Sequence, residues 1–140
     1  MTTRESGKIY KMDEHILASV SGVIADANFL IDFGSLQCQR HLYSQKEPIY
    51  IEEPLKFLSN HKHIYPQFGS SRPFGVSLMY AGWDTVRAFQ LYCSDPSGNY
   101  GSWKAYATGK VSVNAISTLK SNYAQVSTLR EALFLATKVL

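Results

Sequence analysis

The sequence predicts an α+β protein in which helices pack outside layers of β-sheet. Of its 140 residues, 45% are hydrophobic and 18% are charged, a composition typical of globular domains and not of disordered chains. Hydrophobic patterns follow one another in the order strands, two helices, strands, two helices. Residues 72–84, RPFGVSLMYAGWD, are apolar on both alternating faces, which predicts a strand covered on both sides.

The first strands are predicted from two short β-prone segments. KIYKM (8–12) alternates between apolar and polar residues, and HILASVSGV (15–23) is apolar and rich in β-branched residues. Asp13 and Glu14 separate the two segments and are suited to a turn. We therefore expect a β-hairpin.

A change of period after Ala25 predicts the first helix, which reaches to about Ser44. Its apolar and small residues recur at steps of three and four: Ala27, Leu30, Ile31, Gly34, Cys38 and Leu42. These positions share one face of a helix, and that face is expected to meet the sheet.

A second helix is predicted to begin near Ile51. Glu52 and Glu53 suit the positive end of its dipole, and Pro54 is tolerated in a first turn. The helix is expected to stop or kink at Pro66, because proline lacks the backbone N–H that the helix needs. Gly69 is expected to close the following turn.

The rest of the chain predicts two more strands and then two helices. The strands are AFQLYC (88–93) and SWKAYAT (102–108), joined through the turn DPSGN (95–99). Ser112 is expected to cap the third helix. Thr128 and Glu131 have the spacing of a capping box before ALFLATKVL, and this spacing predicts the fourth helix.

Composition and charge exclude several classes of protein. The net charge is +3 and the basic residues are scattered, so no surface for nucleic acid or membrane is predicted. Cys38 and Cys93 lack metal-ligand or redox spacing and are expected to be reduced thiols. No apolar run approaches the length of a membrane span. We expect a soluble intracellular protein without a cofactor.

Four segments carry a resemblance to a known family. They are KIYKMDEHILASVSGVIADAN (8–28), YPQFGSSRPFGVSLMYAGWD (65–84), FQLYCSDPSGNYGSWKA (89–105) and EALFLATKVL (131–140). The sequence resembles α-type subunits of the 20S proteasome core particle. Within that family it is most similar to the class called alpha subunit type 4.

The resemblance implies a four-layer αββα sandwich of the N-terminal nucleophile hydrolase type, with two stacked sheets between two helix layers. It implies that residues 1–140 are one partial domain, the central part of an α subunit, lacking the first two strands and the C-terminal part of the fold.

The resemblance also implies a function in assembly and binding. Seven α subunits form each outer ring of the core particle, dock on the β rings and receive the C-terminal tails of regulatory particles. Lys8, Gly22 and Val23 match the family residues that bind these tails. The implied role is a non-catalytic structural subunit in the cytoplasm and nucleus.

Other functions remain open at this point. Thr2 is a candidate nucleophile for an N-terminal threonine hydrolase, as in the related β-type subunits, and a diverged paralogue or fragment that does not assemble is a third possibility. Cys38 and His41 share a helix face and are either core and surface residues or a thiolate or metal pair. His61 and His63 are expected to be a solvated surface pair, with a metal role as the alternative.

Overall fold

The computed structural model of the chain describes residues 4–68 and 72–140. The chain forms two compact units, residues 1–103 and residues 104–140. The single partial domain predicted over residues 1–140 stays a prediction.

The first unit is built on an antiparallel sheet whose six strands lie in the order of the sequence. The strands are β1 (Arg4–Ser6), β2 (Ile9–Asp13), β3 (Ile16–Gly22), β4 (Val76–Asp84), β5 (Ala88–Ser94) and β6 (Tyr100–Ser102). Between β3 and β4 come two helices, α1 (Ile24–Gln45) and α2 (Glu52–Ile64), and a 3₁₀ turn (Tyr65–Phe68). The predicted hairpin is confirmed as β2 and β3, and the α+β class is confirmed by this architecture.

The core of this unit lies between one face of the sheet and the helices α1 and α2. The sheet contributes alternate residues of β2 to β5, as its pleat requires: Tyr10, Met12, Ile16, Ala18, Val20, Val76, Leu78, Tyr80 and Tyr92. The helices contribute residues spaced by three and four: Ala27, Leu30, Ile31, Cys38, Leu55 and Leu58. The face predicted for α1 is therefore the face that is buried, except for Leu42, which is exposed.

Strand β4 is covered on one face only within this unit, so the prediction of cover on both faces is wrong here. Leu78 and Tyr80 point toward the helices and are 0% exposed. On the opposite face Met79 is half-buried, Trp83 is exposed, and Phe89 of β5 is 87% exposed. The reason is topological, because both helices that interrupt the sheet pack on the same face.

The predicted bounds of the two helices agree with the structure. Pro54 is the third residue of α2, where its missing N–H has no partner to lose. After Ile64 the chain tightens into the 3₁₀ turn that contains Pro66, as expected for a proline at this point. The prediction for Gly69 lies outside the described residues. No helix in the described part of the chain is long and apolar enough to cross a membrane.

The strand predicted over 102–108 is wrong in extent, since β6 ends at Ser102. The ladder with β5 stops at the pair Tyr92 and Ser102, and only the N–H of Trp103 continues it, donating to Leu91 O at 2.9 Å. β5 itself extends from Tyr92 back to Ala88, but the chain after Trp103 forms no further ladder with it.

The second unit contains α3 (Ser112–Asn122), a 3₁₀ turn (Tyr123–Gln125) and α4 (Leu129–Val139). The expected cap at Ser112 is wrong, because Val111 occupies the cap position and makes no side-chain bond there. The capping box of α4 is confirmed: the Glu131 N–H donates to Thr128 Oγ1 at 3.3 Å, and the Thr128 N–H donates to Glu131 Oε2 at 3.0 Å.

Replacing Thr128 by alanine is expected to destabilise the second unit by about 1 kcal/mol, the usual contribution of an N-cap hydroxyl. Thr128→Ser keeps the hydroxyl and is expected to cost only a fraction of that. Hydrogen exchange of the α4 amides measures both changes as free energies of opening. Equal protection in the wild-type and alanine proteins would contradict the role given to this cap.

Candidate functional site

Lys8, Gly22 and Val23 lie at one end of the sheet, and we call these three residues the end site. Lys8 is exposed in the turn between β1 and β2. Its carbonyl oxygen accepts a hydrogen bond of 3.0 Å from the N–H of Val20, two residues before Gly22 on the neighbouring strand. The structure thus brings the three predicted site residues to the same end of adjacent strands.

Gly22 and Val23 form a sharp bend from β3 into α1, and we call this pair the elbow. Gly22 has a φ of 126°, a conformation that residues with side chains avoid. A Cβ atom at Gly22 would lie 2.3 Å from the carbonyl oxygen of Gly75. That same oxygen accepts a hydrogen bond of 2.9 Å from the N–H of Val23. The elbow is therefore pressed against the backbone that leads into β4, and only glycine fits at position 22.

The segment before β4 is in turn bound to the first turn of α1. Both oxygens of the Asp26 carboxylate accept hydrogen bonds of 2.7 Å from the Arg72 guanidinium. The N–H of Gly75 donates to Asp26 Oδ2 at 3.0 Å. These bonds, from Arg72 first and Gly75 second, hold the pKa of Asp26 below its usual value. Asp26 is therefore an ionised carboxylate at neutral pH, and its charge is paired.

A buried lysine lies at the same end of the sheet. Lys62 of α2 is 1% exposed. Its ammonium donates to Val76 O at 3.2 Å, to Ser94 Oγ at 3.1 Å and to Asp95 O at 3.1 Å. Burial lowers the pKa of Lys62 to about 8. Because solvent does not reach its ammonium, Lys62 is not a binding group. Its hydrogen bonds hold α2 against the sheet.

Cys38 and His41 do not form a functional pair. Cys38 is 1% exposed in the core, and burial raises the pKa of its thiol to about 12, so it is not a thiolate at neutral pH. His41 lies toward Glu53, with 3.6 Å between Nδ1 and the carboxylate oxygen. In the ranges 4–68 and 72–140, no three His, Cys, Asp or Glu side chains are placed to hold a metal ion.

The prediction of a solvated pair is correct for His63, which is exposed, and wrong for His61. The ring of His61 stacks on Phe33, with 4.8 Å between centroids, and contacts Phe74 at 5.8 Å. The physical reason is that α2 turns this side chain onto α1 and the segment before β4. Thr2, the candidate nucleophile, lies outside the described residues.

Sequence reasoning missed Asp26, Arg72, Gly75 and Lys62. Lys62 follows Leu55 and Leu58 by seven and four residues, so it lies in phase with the buried face of α2, and this was a readable signal. Asp26 and Arg72 are 46 residues apart. No local pattern joins them, and only the fold reveals their contact.

The end site suits a carboxylate at the end of an extended chain. The Lys8 ammonium is exposed, and ammonium–carboxylate hydrogen bonds are among the stronger ones in proteins. Gly22 serves the bend itself, because the carbonyl oxygen of Gly75 takes the space that a side chain would occupy. An exposed ammonium beside a fixed bend is chemically able to bind a carboxylate at a chain terminus.

Comparison with known proteins gives a family match over the whole chain. The model of the family described as "Proteasome subunit" matches residues 1–140. This match and the sheet with its helix layer confirm the predicted α+β fold of the N-terminal nucleophile hydrolase type. Within the described residues there is one sheet of its four-layer sandwich, with one helix layer on it.

Individual relatives are similar over almost all of the chain. Proteasome subunit alpha type-4-A of Arabidopsis thaliana is 47% identical over 139 residues, which is 99% of this chain and 56% of the relative. Proteasome subunit alpha type-4-1 of Oryza sativa subsp. indica is 48% identical with the same coverage. Proteasome subunit alpha type-4 of Dictyostelium discoideum is 47% identical over 140 residues, again 56% of its length. The chain thus spans little more than half the length of these relatives.

Proposed function

The chain belongs to the proteasome subunit family, and on that premise we propose that it is a non-catalytic structural subunit of the α ring of the 20S core particle. The observation that carries this proposal is the identity of 46–48% to alpha type-4 subunits over 99% of the chain. Its role is to support ring assembly, docking on β rings and binding of regulatory particles in ubiquitin- and ATP-dependent protein degradation, in the cytoplasm and nucleus.

The proposed partners are the other α subunits of a seven-membered ring, the β subunits and the C-terminal tails of regulatory particles. The sheet face opposite the helices fits the inside of the sandwich, where the second sheet of the family fold packs. Leu17, Trp83 and Phe89 are 42%, 46% and 87% exposed on that face. Large apolar side chains in one exposed area mark a surface that further protein covers.

We propose that the end site binds the C-terminal carboxylate of such tails. Lys8 pairs with the carboxylate, and Gly22 and Val23 of the elbow frame the tail. Two features support this assignment: the common position of Lys8 and the elbow at one end of the sheet, and the fixed conformation of Gly22. A preformed site is expected to lose little ordering entropy when the tail binds.

Replacing Lys8 by alanine tests this assignment. In core particles that contain the chain, Lys8→Ala is expected to weaken binding of a tail peptide about 10- to 100-fold, the effect of losing one charge-assisted hydrogen bond. Fluorescence anisotropy of a labelled peptide with a free C-terminus measures the Kd.

Lys11→Ala is the matched control. Lys11 lies on the adjacent strand β2 and pairs with Glu14 at 2.8 Å, so its loss removes the same charge without touching the end site. The Kd of this variant is expected to equal that of the wild type. An unchanged Kd in Lys8→Ala would remove Lys8 from the site.

Catalysis is not proposed for this chain. An N-terminal threonine hydrolase would depend on Thr2, whereas the relatives named above are alpha subunits. Peptide hydrolysis by particles containing the chain is therefore expected to be the same for the wild type and Thr2→Ala. Loss of that activity in Thr2→Ala would favour the hydrolase.

A further inference from the structure

We propose that Asp26 and Arg72 are positioning residues of the end site, because they fix the elbow through the backbone of Gly75. This inference rests on the proposed function, since it concerns binding of a carboxylate tail at Lys8 and the elbow. We call Arg72, Asp26 and Gly75 the tether.

The tether reaches the elbow in three hydrogen-bonded steps. The Arg72 guanidinium donates twice to Asp26, Asp26 accepts the N–H of Gly75, and the carbonyl of Gly75 accepts the N–H of Val23. The last of these bonds ends on the elbow itself. Movement of Asp26 therefore moves the group that the elbow is pressed against.

The contact between the tether and the elbow is too close to absorb such movement. A Cβ atom at Gly75 would lie 3.2 Å from Val23 Cγ2, and one at Gly22 would lie 2.3 Å from Gly75 O. Neither glycine leaves room for a Cβ atom, so the two backbone segments lie against each other and shift together. The position of the Gly22 and Val23 backbone therefore follows the position of Gly75.

Asp26 acts on the tether and not as a cap of its own helix. It lies in the first turn of α1, where the cap residue Val23 has no side chain able to cap the helix and donates its N–H to Gly75 O. The carboxylate is bonded instead to Arg72 and Gly75. The start of α1 is thus fixed by a residue 46 positions later in the chain.

Arg72 has a second, electrostatic effect on the same site. Asp26 is three residues from Val23, and its side chain is 11% exposed. Without Arg72, the charge of the Asp26 carboxylate would be uncompensated in the helical turn that follows the elbow, and it would repel a bound carboxylate. Arg72 therefore both holds Asp26 and neutralises it. The side chain of Arg72 is itself 65% exposed, so its replacement removes little packing.

The test measures tail binding to assembled core particles that carry variants of this chain. The probe is one peptide in two forms, with a free C-terminal carboxylate and with a C-terminal amide. Asp26→Ala and Arg72→Met are each expected to weaken binding of the free acid about tenfold. Arg72→Lys, which keeps the charge but not the pair of hydrogen bonds to both Asp26 oxygens, is expected to have an affinity between those of Arg72→Met and the wild type. In variants that bind the free acid more weakly, the ratio of the affinities for the free acid and the amide is also expected to be smaller.

Three further readouts separate positioning from general damage. The yield of assembled particles is expected to be the same for the Arg72 variants and the wild type. The effect of Arg72→Met is expected to grow as salt is lowered, because the uncovered Asp26 charge is then less screened. In the double variant Asp26→Ala/Arg72→Met, the fold-loss of tail affinity is expected to be smaller than the product of the fold-losses of the two single variants.

The outcomes are distinguishable from those for the proposed function. If Lys8→Ala weakens binding but Asp26→Ala and Arg72→Met do not, the positioning role is wrong and the tail site stands. If none of the three weakens binding, the tail site itself is wrong. If Asp26→Ala prevents assembly, the two Arg72 variants still test the proposal. Equal tail affinities for Arg72→Met and the wild type would then overturn it.

Discussion

Gly22→Ala is expected to destabilise the first unit by roughly 3–5 kcal/mol, the range in which strain and steric overlap act together. The φ of 126° is unfavourable for alanine. The new Cβ atom would also lie 2.3 Å from Gly75 O and 3.0 Å from Val76 Cα. Both neighbours are backbone atoms of the segment that enters the central strand β4, so relief requires β3 and β4 to separate.

Gly109→Ala is the matched control for this prediction. Gly109 has a φ of 129°, almost the same as Gly22, but a Cβ atom there meets nothing within 4 Å. It therefore isolates the conformational strain, which we expect to cost about 1–2 kcal/mol. Hydrogen exchange read from peptides of each unit gives the two free energies separately. Equal losses at the two glycines would contradict the contact between the elbow and Gly75.

The stability of the first unit is expected to rise with pH relative to the variant Lys62→Met, by about 3 kcal/mol between pH 8 and 10.5. Burial lowers the pKa of Lys62 from 10.5 to about 8 in the folded state. Between these values the unfolded chain binds the proton and the folded chain does not. Raising the pH therefore favours folding, and below pH 8 the full cost of burying the charge is present.

The comparison with Lys62→Met removes the other groups that titrate in this range. Cys38 and Tyr80, whose pKa values burial raises, are present in both proteins and cancel in the difference. Urea denaturation at each pH, followed by tryptophan fluorescence, measures the free energy of unfolding. A difference that is constant from pH 8 to 10.5 would mean that Lys62 titrates normally, and that its ammonium is not held as the structure shows.

The sequence predicts most of the helices and strands because their signals are local. The spacing of Leu30, Ile31 and Cys38 fixes the buried face of α1, and the capping box fixes the start of α4. Gly34 in α1 would be unfavourable unless it allowed close contact. The structure supplies that contact, since a Cβ atom there would lie 2.9 Å from Met12 Sδ.

Elements whose extent depends on a distant partner were not predictable in this way. The segment 102–108 has strand composition, but the chain pairs with β5 only as far as Ser102. Both faces of β4 are apolar, and the sequence alone does not say which layer covers each face. The β-propensity of a residue is a local property, whereas strand pairing and the burial of a sheet face depend on the tertiary structure.

The candidate site likewise has residues that the sequence predicts and contacts that it does not predict. The resemblance to α subunits supplied Lys8, Gly22 and Val23, and the structure brings them to one end of the sheet. The contacts that fix this arrangement, between Asp26 and Arg72, depend on how α1 meets the segment before β4. That meeting results from tertiary packing and has no counterpart in local spacing.

We propose that this chain works as a member of an α ring, held against sister subunits. Native mass spectrometry of particles purified through a tag on the chain tests it most directly. We expect the chain in a core particle with other α subunits in seven-membered rings stacked on β rings. Recovery of the chain only as a free protein, with neither α nor β subunits bound, would contradict the account.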